Sequence, residues 1–531
     1  MKAKNLLLVI ALATSSAFAE IKMPALFSDN MMFQSNAPIK IWGTADANAE
    51  VRIDFANQSK TVKACANGNW RAELSAEKGS FVPRDIRISE NGKVAKEISN
   101  VLVGQVWIAG GQSNMEFPVK YTFDFERAKK TVPNYAKKLR YFFQTSEAYT
   151  RTPQSDFFAG SRWEAPTDQN VGEMAAAAFY FAEKLSDNID EPVGIIYASK
   201  GATGMACWTS KEFLQKADFT RPALEQFEKE LASYTPEDYQ KNLAKFKEFM
   251  KKYRAAKASK TPLAVPWDAT IPPNPIAPRN SFRCPYMHYN GAIYPMRDFS
   301  VKGVVWYQGE SDAGNKAKYF IEKFALMIDC WRSQFKNPDL VFIFSELAAF
   351  NASEDWAYAR VAQAKSAKVI DKCYMSAQVD SGEKDDIHPR DKTIVGRRMA
   401  DIALSKVYGN NSFFGDAPEL ASVSFDNAKA TLVINTYKRG IYPKGELRGF
   451  EVLVDGKWQP AKAIFTTKKN TAKSFKGTKT KNWGSANRIS VEGKNGGKVD
   501  GVRYLWKGWT MPEACVFNKD GLPLLPFQKT R

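Results

Sequence analysis

The sequence predicts an α/β fold: a parallel-sheet domain flanked by N- and C-terminal β-sandwich regions. Three observations carry this expectation. Near-continuous apolar runs at 103–109, 193–198, 303–308, 340–344 and 374–379 alternate with helical segments at 170–186, 316–335 and 355–368. A further helical segment at 391–407 follows the last run. Strands apolar on both faces are those of a parallel sheet covered by helices on both sides. Outside this block, residues 20–100 and 411–531 alternate apolar and polar instead, the period of half-buried strands. The α/β block then spans 101–410.

The elements follow in chain order. Lys2 and Lys4 precede an apolar stretch from Leu6 to Ala13, and Ala17-Phe18-Ala19 is a small-x-small cleavage site. Residues 1–19 are thus expected to be a signal peptide, and the protein to be exported to the periplasm or the medium. No later stretch has the roughly 18 uninterrupted apolar residues of a membrane span. In the N-terminal β region, Ile39-Lys40-Ile41-Trp42-Gly43, Val51-Arg52-Ile53-Asp54-Phe55 and Ile86-Arg87-Ile88 alternate, with Asn67-Gly68 and Asn91-Gly92 as hairpin turns. An insertion interrupts the α/β alternation at about 211–283. It holds a helix opened by Thr235-Pro236-Glu237-Asp238, with Thr at the N-cap and Pro at the first helical position. Tyr239, Leu243, Phe246, Met250 and Tyr253 form one stripe of that helix, expected to be packing. The connector that follows holds Pro262, Pro266, Pro272, Pro273, Pro275 and Pro278, semi-rigid and suited to wall off a cleft. Ala430-Thr431-Leu432-Val433-Ile434 and Gly449-Phe450-Glu451-Val452-Leu453-Val454 carry the C-terminal strands.

Composition narrows the function classes. With 531 residues, 44% apolar and 25% charged, the chain is an ordinary globular protein with ample core. Its net charge of +19 raises nucleic acid, anionic glycans and a charged envelope as partners. Export and the lack of any recognised module argue against nucleic acid. Residues 456–491 hold eight lysines and one arginine with no acid, a solvated face or an anion-attracting patch. The six cysteines show no C-x-x-C spacing and no neighbouring histidine cluster, so no structural metal site is expected. One or two disulfides and buried free thiols are both compatible with export. Only two histidines exist, so histidine chemistry has two candidates.

The first apolar run ends in Gly110-Gly111-Gln112-Ser113-Asn114-Met115. A serine at the tip of a parallel strand after two glycines is presented to solvent, as a nucleophile must be. The third run ends at the same rim in Trp306-Tyr307-Gln308-Gly309-Glu310-Ser311-Asp312. The fifth leads into Ser381-Gly382-Glu383-Lys384-Asp385-Asp386-Ile387-His388-Pro389. In D-x-x-H a carboxylate can reach back to Nδ1, leaving Nε2 free to take a serine proton. Asp385 is therefore the expected orienter of His388, with Asp386 the alternative. His288, within Tyr286-Met287-His288-Tyr289-Asn290-Gly291, is the lesser candidate.

With these motifs in hand, the chain resembles the SGNH-type esterases, which are flavodoxin-like, and among them the sialate O-acetylesterases. The resemblance rests on Gly111-Gln112-Ser113-Asn114-Met115-Glu116, Gly201-Ala202-Thr203 with Trp208, Tyr289-Asn290-Gly291, Trp306-Tyr307-Gln308-Gly309-Glu310-Ser311 and Asp386-Ile387-His388-Pro389. It extends to Leu26-Phe27-Ser28-Asp29-Asn30-Met31-Met32 and to Gly521-Leu522-Pro523-Leu524-Leu525-Pro526-Phe527. It implies Ser113 as nucleophile, His388 as base and then acid, and an Asp near His388 as orienter. Ser113, Gly201 and Gln308 would hold the oxyanion; Gln112, Glu310, Trp208 and Asn290 would contact substrate. No metal or organic cofactor is implied. Two departures stand out: the usual paired glycines read Gly201-Ala202, and the acidic residue often found before the Trp is Ala206.

The function expected is an exported serine esterase that removes O-acetyl groups from carbohydrate, sialate O-acetylesterase-like. Its alternatives are the same chemistry on a neutral plant polysaccharide such as acetylated xylan or xyloglucan, and a non-catalytic glycan-binding protein. Thirteen tryptophans suit sugar stacking in either case.

Overall fold

The computed structural model describes residues 21–263, 265–266, 268–466, 487–493 and 497–531. The expected signal peptide at 1–19 lies outside the described residues, as does 467–486 of the lysine-rich segment. Six N-terminal strands, β1 (Met32–Gln34), β2 (Ile39–Thr44), β3 (Glu50–Phe55), β4 (Gln58–Lys63), β5 (Asn69–Leu74) and β6 (Ser80–Glu90), lead into a long seventh, β7 (Lys93–Gly111). The β6–β7 turn is Asn91-Gly92 with φ of 49° and 81°, the two left-handed residues of a type I′ hairpin. β2 pairs with β5, while β3 pairs with β4 and β6, all antiparallel.

One strand joins the two patterning regimes. β7 is antiparallel to β6 in its first part, then becomes the middle of the parallel sheet. The remaining central strands are β8 (Leu139–Phe143), β9 (Arg162–Glu164), β10 (Val193–Ser199), β11 (Gly303–Tyr307), β12 (Val341–Ser345) and β13 (Cys373–Ser376). The sheet order is β13-β12-β11-β7-β10-β8-β9, parallel except for β8–β9. The patterning did not predict β8. It is five residues long and carries Arg140, whose buried guanidinium donates to the carbonyls of Ala136 and Leu139, both at 2.8 Å.

The helices placed around this sheet are α1 (Ser113–Glu116), α2 (Ala176–Ser186), α3 (Pro236–Ala258), α4 (Phe320–Gln334), α5 (Asp355–Val369) and α6 (Thr393–Ile402). α4 and α5 cover one face and α2 and α6 the other, while α3 belongs to the insertion and buries none of its residues. Val106 and Ile108 of β7 join one core with Phe324, Trp331 and Phe342; Trp107 and Ala109 join the other with Phe181, Val395 and Met399. β10 lies on one side of β7 and β11 on the other, so the chain reverses its direction across the sheet at β7. In doubly wound sheets, ligands bind beyond the carboxyl ends of the strands flanking such a switch.

The C-terminal strands β14 (Glu419–Phe425), β15 (Lys429–Asn435), β16 (Phe450–Val454), β17 (Lys457–Phe465), β18 (Arg488–Gly493), β19 (Gly501–Tyr504) and β20 (Phe527–Thr530) form an antiparallel sheet in the order β14-β15-β18-β17-β16-β19-β20. Arg360 of α5, fully buried, ties this region to the parallel sheet. It donates to the carbonyls of Leu347, Ala348, Lys507 and Gly508 at 2.8–3.0 Å.

The insertion helix α3 opens with the expected Thr, and Thr235 and Asp238 complete a reciprocal capping box at 3.1 and 3.0 Å. Its apolar stripe departs from expectation, because none of its residues is buried. Phe246 and Phe249 of this helix are half-buried and line a surface cavity with Ile271 and Pro273 of the proline connector. All six cysteines are free thiols, five buried and Cys65 exposed. Among the described residues no helix is long and apolar enough to cross a membrane.

The seam between β7 and β11 leaves no room for a side chain at Gly111. Its φ is +141°, and a Cβ there would sit 2.2 Å from the Tyr307 carbonyl oxygen. Gly111→Ala should cost roughly 2–4 kcal/mol through backbone strain and overpacking. The thermal melt should fall by several degrees; an unchanged melt would show that the seam relaxes freely.

Candidate active site

β7 ends at the switch, and its tip is laced to that of β11. The Gln112 N–H donates to the Tyr307 carbonyl at 3.0 Å, and the Gln112 Oε1 accepts from Ser311 N–H at 3.2 Å. The chain turns immediately into α1 at Ser113. The loop after β13 brings His388 to the same rim, with Nε2 2.9 Å from Ser113 Oγ. This is the geometry of a hydroxyl beside a base that can take its proton.

Of the two aspartates, the structure brings Asp386, not Asp385, to the imidazole. Asp386 Oδ1 accepts the His388 main-chain N–H at 2.8 Å and lies 3.7 Å from Nδ1. This is an Asx turn, which folds the carboxylate under the ring two residues on. Asp385 is exposed and makes no hydrogen bond or ion pair among the described residues. The three-residue reach inferred from D-x-x-H fails because the local turn is closed by the nearer residue. Burial lowers the His388 pKa below the usual 6.5, the Lys392 ammonium lowers it further, and Asp386 opposes them.

The oxyanion candidates divide. Ser113 N–H opens the first turn of α1, where helical N–H groups lack an intrahelical acceptor. Gly201 lies against Ser113: a Cβ there would be 3.4 Å from Ser113 Cβ. Its N–H, however, donates to Glu116 Oε2 at 2.5 Å, so the expected second donor is already engaged. Gln308 is not an oxyanion donor in this arrangement. Its buried amide donates inward to Asp312 Oδ2 at 2.8 Å and to the Thr203 carbonyl at 3.2 Å. Ala202, where the resemblance leads one to expect glycine, has φ of +61°, the conformation that glycine adopts without strain.

Ser113 and His388 line a cavity of about 1290 Å³. Gln112 and Glu310 line it too, as expected of substrate contacts. Trp208 and Asn290 do not. Trp208 is buried beneath the site, donates to Thr203 Oγ1 at 2.8 Å and stacks on His288 at 5.1 Å. Asn290 holds a loop through the carbonyls of Thr150 and Arg151. Both were motif residues whose role is to support the floor. His288 is fully buried, and burial pulls its pKa to about 3. The far wall is aromatic and proline-rich: Tyr149, Phe158, Tyr239, Phe282, Pro272 and Pro273. Among the described lining residues Lys200 is the one lysine or arginine, and it is paired with Glu147.

Two residues with no role in the sequence reading sit directly behind the dyad. Asn114 is buried, and its Nδ2 donates to Glu310 Oε1 at 2.5 Å and to the Ile387 carbonyl at 3.0 Å. Lys392, fully buried, donates from Nζ to Asn114 Oδ1 at 2.5 Å. Burial pulls the Lys392 pKa down to about 7 while Glu310 opposes it; burial likewise pushes Glu310 up. The only sequence signal was spacing, since Lys392 follows His388 by four residues in a loop that otherwise reads as solvated.

Comparison with known proteins agrees with this geometry. Residues 287–405 match the family described as "Carbohydrate esterase, sialic acid-specific acetylesterase". The chain is similar to the sialate O-acetylesterase of Rattus norvegicus, at 25% identity over 98% of this chain and 96% of that protein. It is similar to that of Homo sapiens at 23% identity, over 94% and 90% respectively. Among solved structures, a carbohydrate acetylesterase from Xanthomonas citri superimposes with a TM-score of 0.76 and 26% identity, covering 96% of this chain and 99% of that one.

The Asx-turn geometry makes Asp386→Asn the costlier of the two aspartate changes. Because Asp386 is half-exposed and 3.7 Å from Nδ1, its loss should lower kcat by roughly ten- to a hundredfold, short of the 10⁴ seen for a buried, tightly bonded orienter. Asp385→Asn should change kcat less than about twofold, as surface substitutions do. Steady-state kinetics of the two variants decide it, and a larger loss at Asp385 would reverse the assignment.

Proposed function

We propose that this carbohydrate O-acetylesterase, a relative of the sialate O-acetylesterases, is an exported serine esterase that works through an acetyl-Ser113 intermediate. One observation carries the reading: the 2.9 Å contact of Ser113 Oγ with His388 Nε2 on the wall of a sugar-sized cavity. His388 takes the Ser113 proton as Oγ attacks the acetyl carbonyl, and the Ser113 N–H receives the oxyanion. The Gly201 N–H becomes a second donor when Glu116 releases it. His388 returns the proton to the departing sugar alcohol, then activates the water that frees acetate. The strand order around β7 supports a flavodoxin-like, SGNH-type sheet, and the residues at 1–19 support export.

Ser113→Ala should lower kcat by roughly 10³–10⁶ with folding intact. In the wild type, kcat/KM should fall on the acid side as His388 is protonated, since imidazolium cannot accept the serine proton. Because burial and Lys392 lower the His388 pKa, that limb should lie below pH 6.5. An acid limb at or above 6.5, or a Ser113→Ala enzyme keeping a tenth of its activity, contradicts the reading.

The relatives favour acetylated sialate as substrate, whereas the lining favours a second reading, a neutral acetylated polysaccharide such as xylan or xyloglucan. A free cation in the lining would favour a sialate carboxylate. Among the described lining residues Lys200 is already paired with Glu147, and Glu310 adds a further acid, while Tyr149, Phe158, Tyr239 and Phe282 offer faces on which neutral sugars stack. The deciding measurement is kcat/KM for both classes of ester at low and high salt. A sialate-specific enzyme, at +17 once Lys2 and Lys4 are lost from the +19 of the full sequence, should lose efficiency as the Debye length falls from about 10 Å at 0.1 M to 3 Å at 1 M. A faster, salt-insensitive reaction on the neutral ester would select the second reading.

A further inference from the structure

We propose that Lys392 is a positioning residue for the esterase reaction, fixing the Ser113 turn to the His388 loop through Asn114 and holding a positive charge beside the base. The inference rests on the reading of His388 as general base.

The hydrogen-bonding capacities leave Asn114 a single orientation. Lys392 Nζ can only donate, so it must meet the amide oxygen; the Glu310 carboxylate and the Ile387 carbonyl can only accept, so they must meet the amide nitrogen. All three contacts form, at 2.5, 2.5 and 3.0 Å. Asn114 adjoins Ser113, and Ile387 adjoins His388. A single side chain therefore pins the residue next to the nucleophile to the residue next to the base, and Lys392 locks that side chain. The Lys392 ammonium also lies over Phe117 at 4.8 Å and Tyr307 at 5.4 Å, so the tip of β11 packs against it as well. An unpaired lysine at this depth would be expensive, and Glu310 across the amide supplies the opposite charge.

The charged neighbours determine the direction of the field. His388 is faced by Ser113 from α1, by Asp386 from its own loop and by Lys392 at the start of α6. Lys392 is faced by Glu310 beyond β11 and by Asp386, Glu383 and Asp391 from its own loop. Glu383 is engaged by the Arg390 N–H at 2.7 Å and Asp391 by the Thr393 N–H at 3.1 Å. A cation near His388 disfavours imidazolium, so Lys392 keeps the base neutral to lower pH. The carboxylates of Glu310, Asp386, Glu383 and Asp391 favour the protonated form of Lys392 against the burial that opposes it.

The chain suits a direct test, because it has only two histidines and buried His288 does not titrate until about pH 3. Side-chain NMR of histidine-labelled protein should therefore show one titrating imidazole above pH 4, that of His388. In Lys392→Met this titration should move up by about 0.5–1 pH unit, with kcat reduced ten- to a hundredfold and KM within about threefold. Lys392→Arg, which keeps the charge, should titrate as the wild type. If Lys392→Met does not fold, Lys392→Gln carries the same expectation, since it retains a donor for Asn114 without the charge. Loss of kcat with no change in titration would mean a merely structural lysine and overturn the proposal, as would unchanged kcat. His388→Ala separates the two failures. If it stays active, the base assignment fails and the inference with it. If it is inactive while Lys392→Met and Lys392→Gln titrate as the wild type, the inference alone fails.

Discussion

The approach of Ser113 Oγ to His388 Nε2 spans 275 residues of chain, and the rest of the molecule is arranged so that it can occur. Parallel strands make it possible, because every strand of such a sheet delivers its carboxyl end to the same rim. β7 delivers the serine, β13 the loop with the histidine, and β11 the segment that laces to both. The fit is close at the β7–β11 seam, where only a glycine lets the Gln112 N–H reach the Tyr307 carbonyl. Order at the rim is then imposed by polar contacts rather than by apolar packing. Gln112 binds the Ser311 turn, Asn114 binds the His388 loop, and Glu116 binds the Gly201 loop. Three residues of the Gln112–Glu116 segment thus each hold one of the other loops that form the site.

Much of this was legible in the sequence because strand burial is legible. Residues of β10 and β11 are buried without exception, and such runs have no polar period to confuse with a surface strand. The hairpin at Asn91-Gly92 was legible because two adjacent left-handed residues demand that pair of amino acids. β8 escaped because an arginine in a five-residue run breaks the apolar pattern, and only the structure reveals that its guanidinium is buried, donating to the Ala136 and Leu139 carbonyls and to Asn100 Oδ1. The insertion helix was read correctly at its N-cap, which is a local interaction. Its packing was misread, because periodicity reports which residues share a face and not what that face meets.

The site divides along the same line. That Ser113 and His388 meet at one rim was legible from residue type and position at strand tips. The choice between Asp385 and Asp386 was not, since one turn of loop backbone decides it and both spacings allow contact. Gly201 and Gln308 show a further limit. A motif can bring a donor to the right neighbourhood while another side chain takes its hydrogen bond: Glu116 takes that of Gly201, and Asp312 that of Gln308. Lys392 was the hardest case, because a lysine among Glu, Asp and Arg in a loop reads as solvated, yet its side chain has no exposed surface.

The molecule's charge acts on two length scales that point to different physics. A net charge of +19 belongs to the chain as a whole and acts over a Debye length, about 10 Å at 0.1 M salt, so it governs what the protein drifts towards. The cavity is governed by what its walls can hydrogen-bond and stack against at contact distance. There the described lining offers Lys200 already paired, the carboxylates of Glu147 and Glu310, and a broad aromatic and proline face. A basic net charge, together with described lining residues whose one lysine is already paired, makes attraction to an anionic surface separable from contacts in the cavity. The buried Lys392 obeys the same separation. It adds one unit to the net charge, but its partners are within the rim, so its field is spent on the dyad rather than on an approaching ligand.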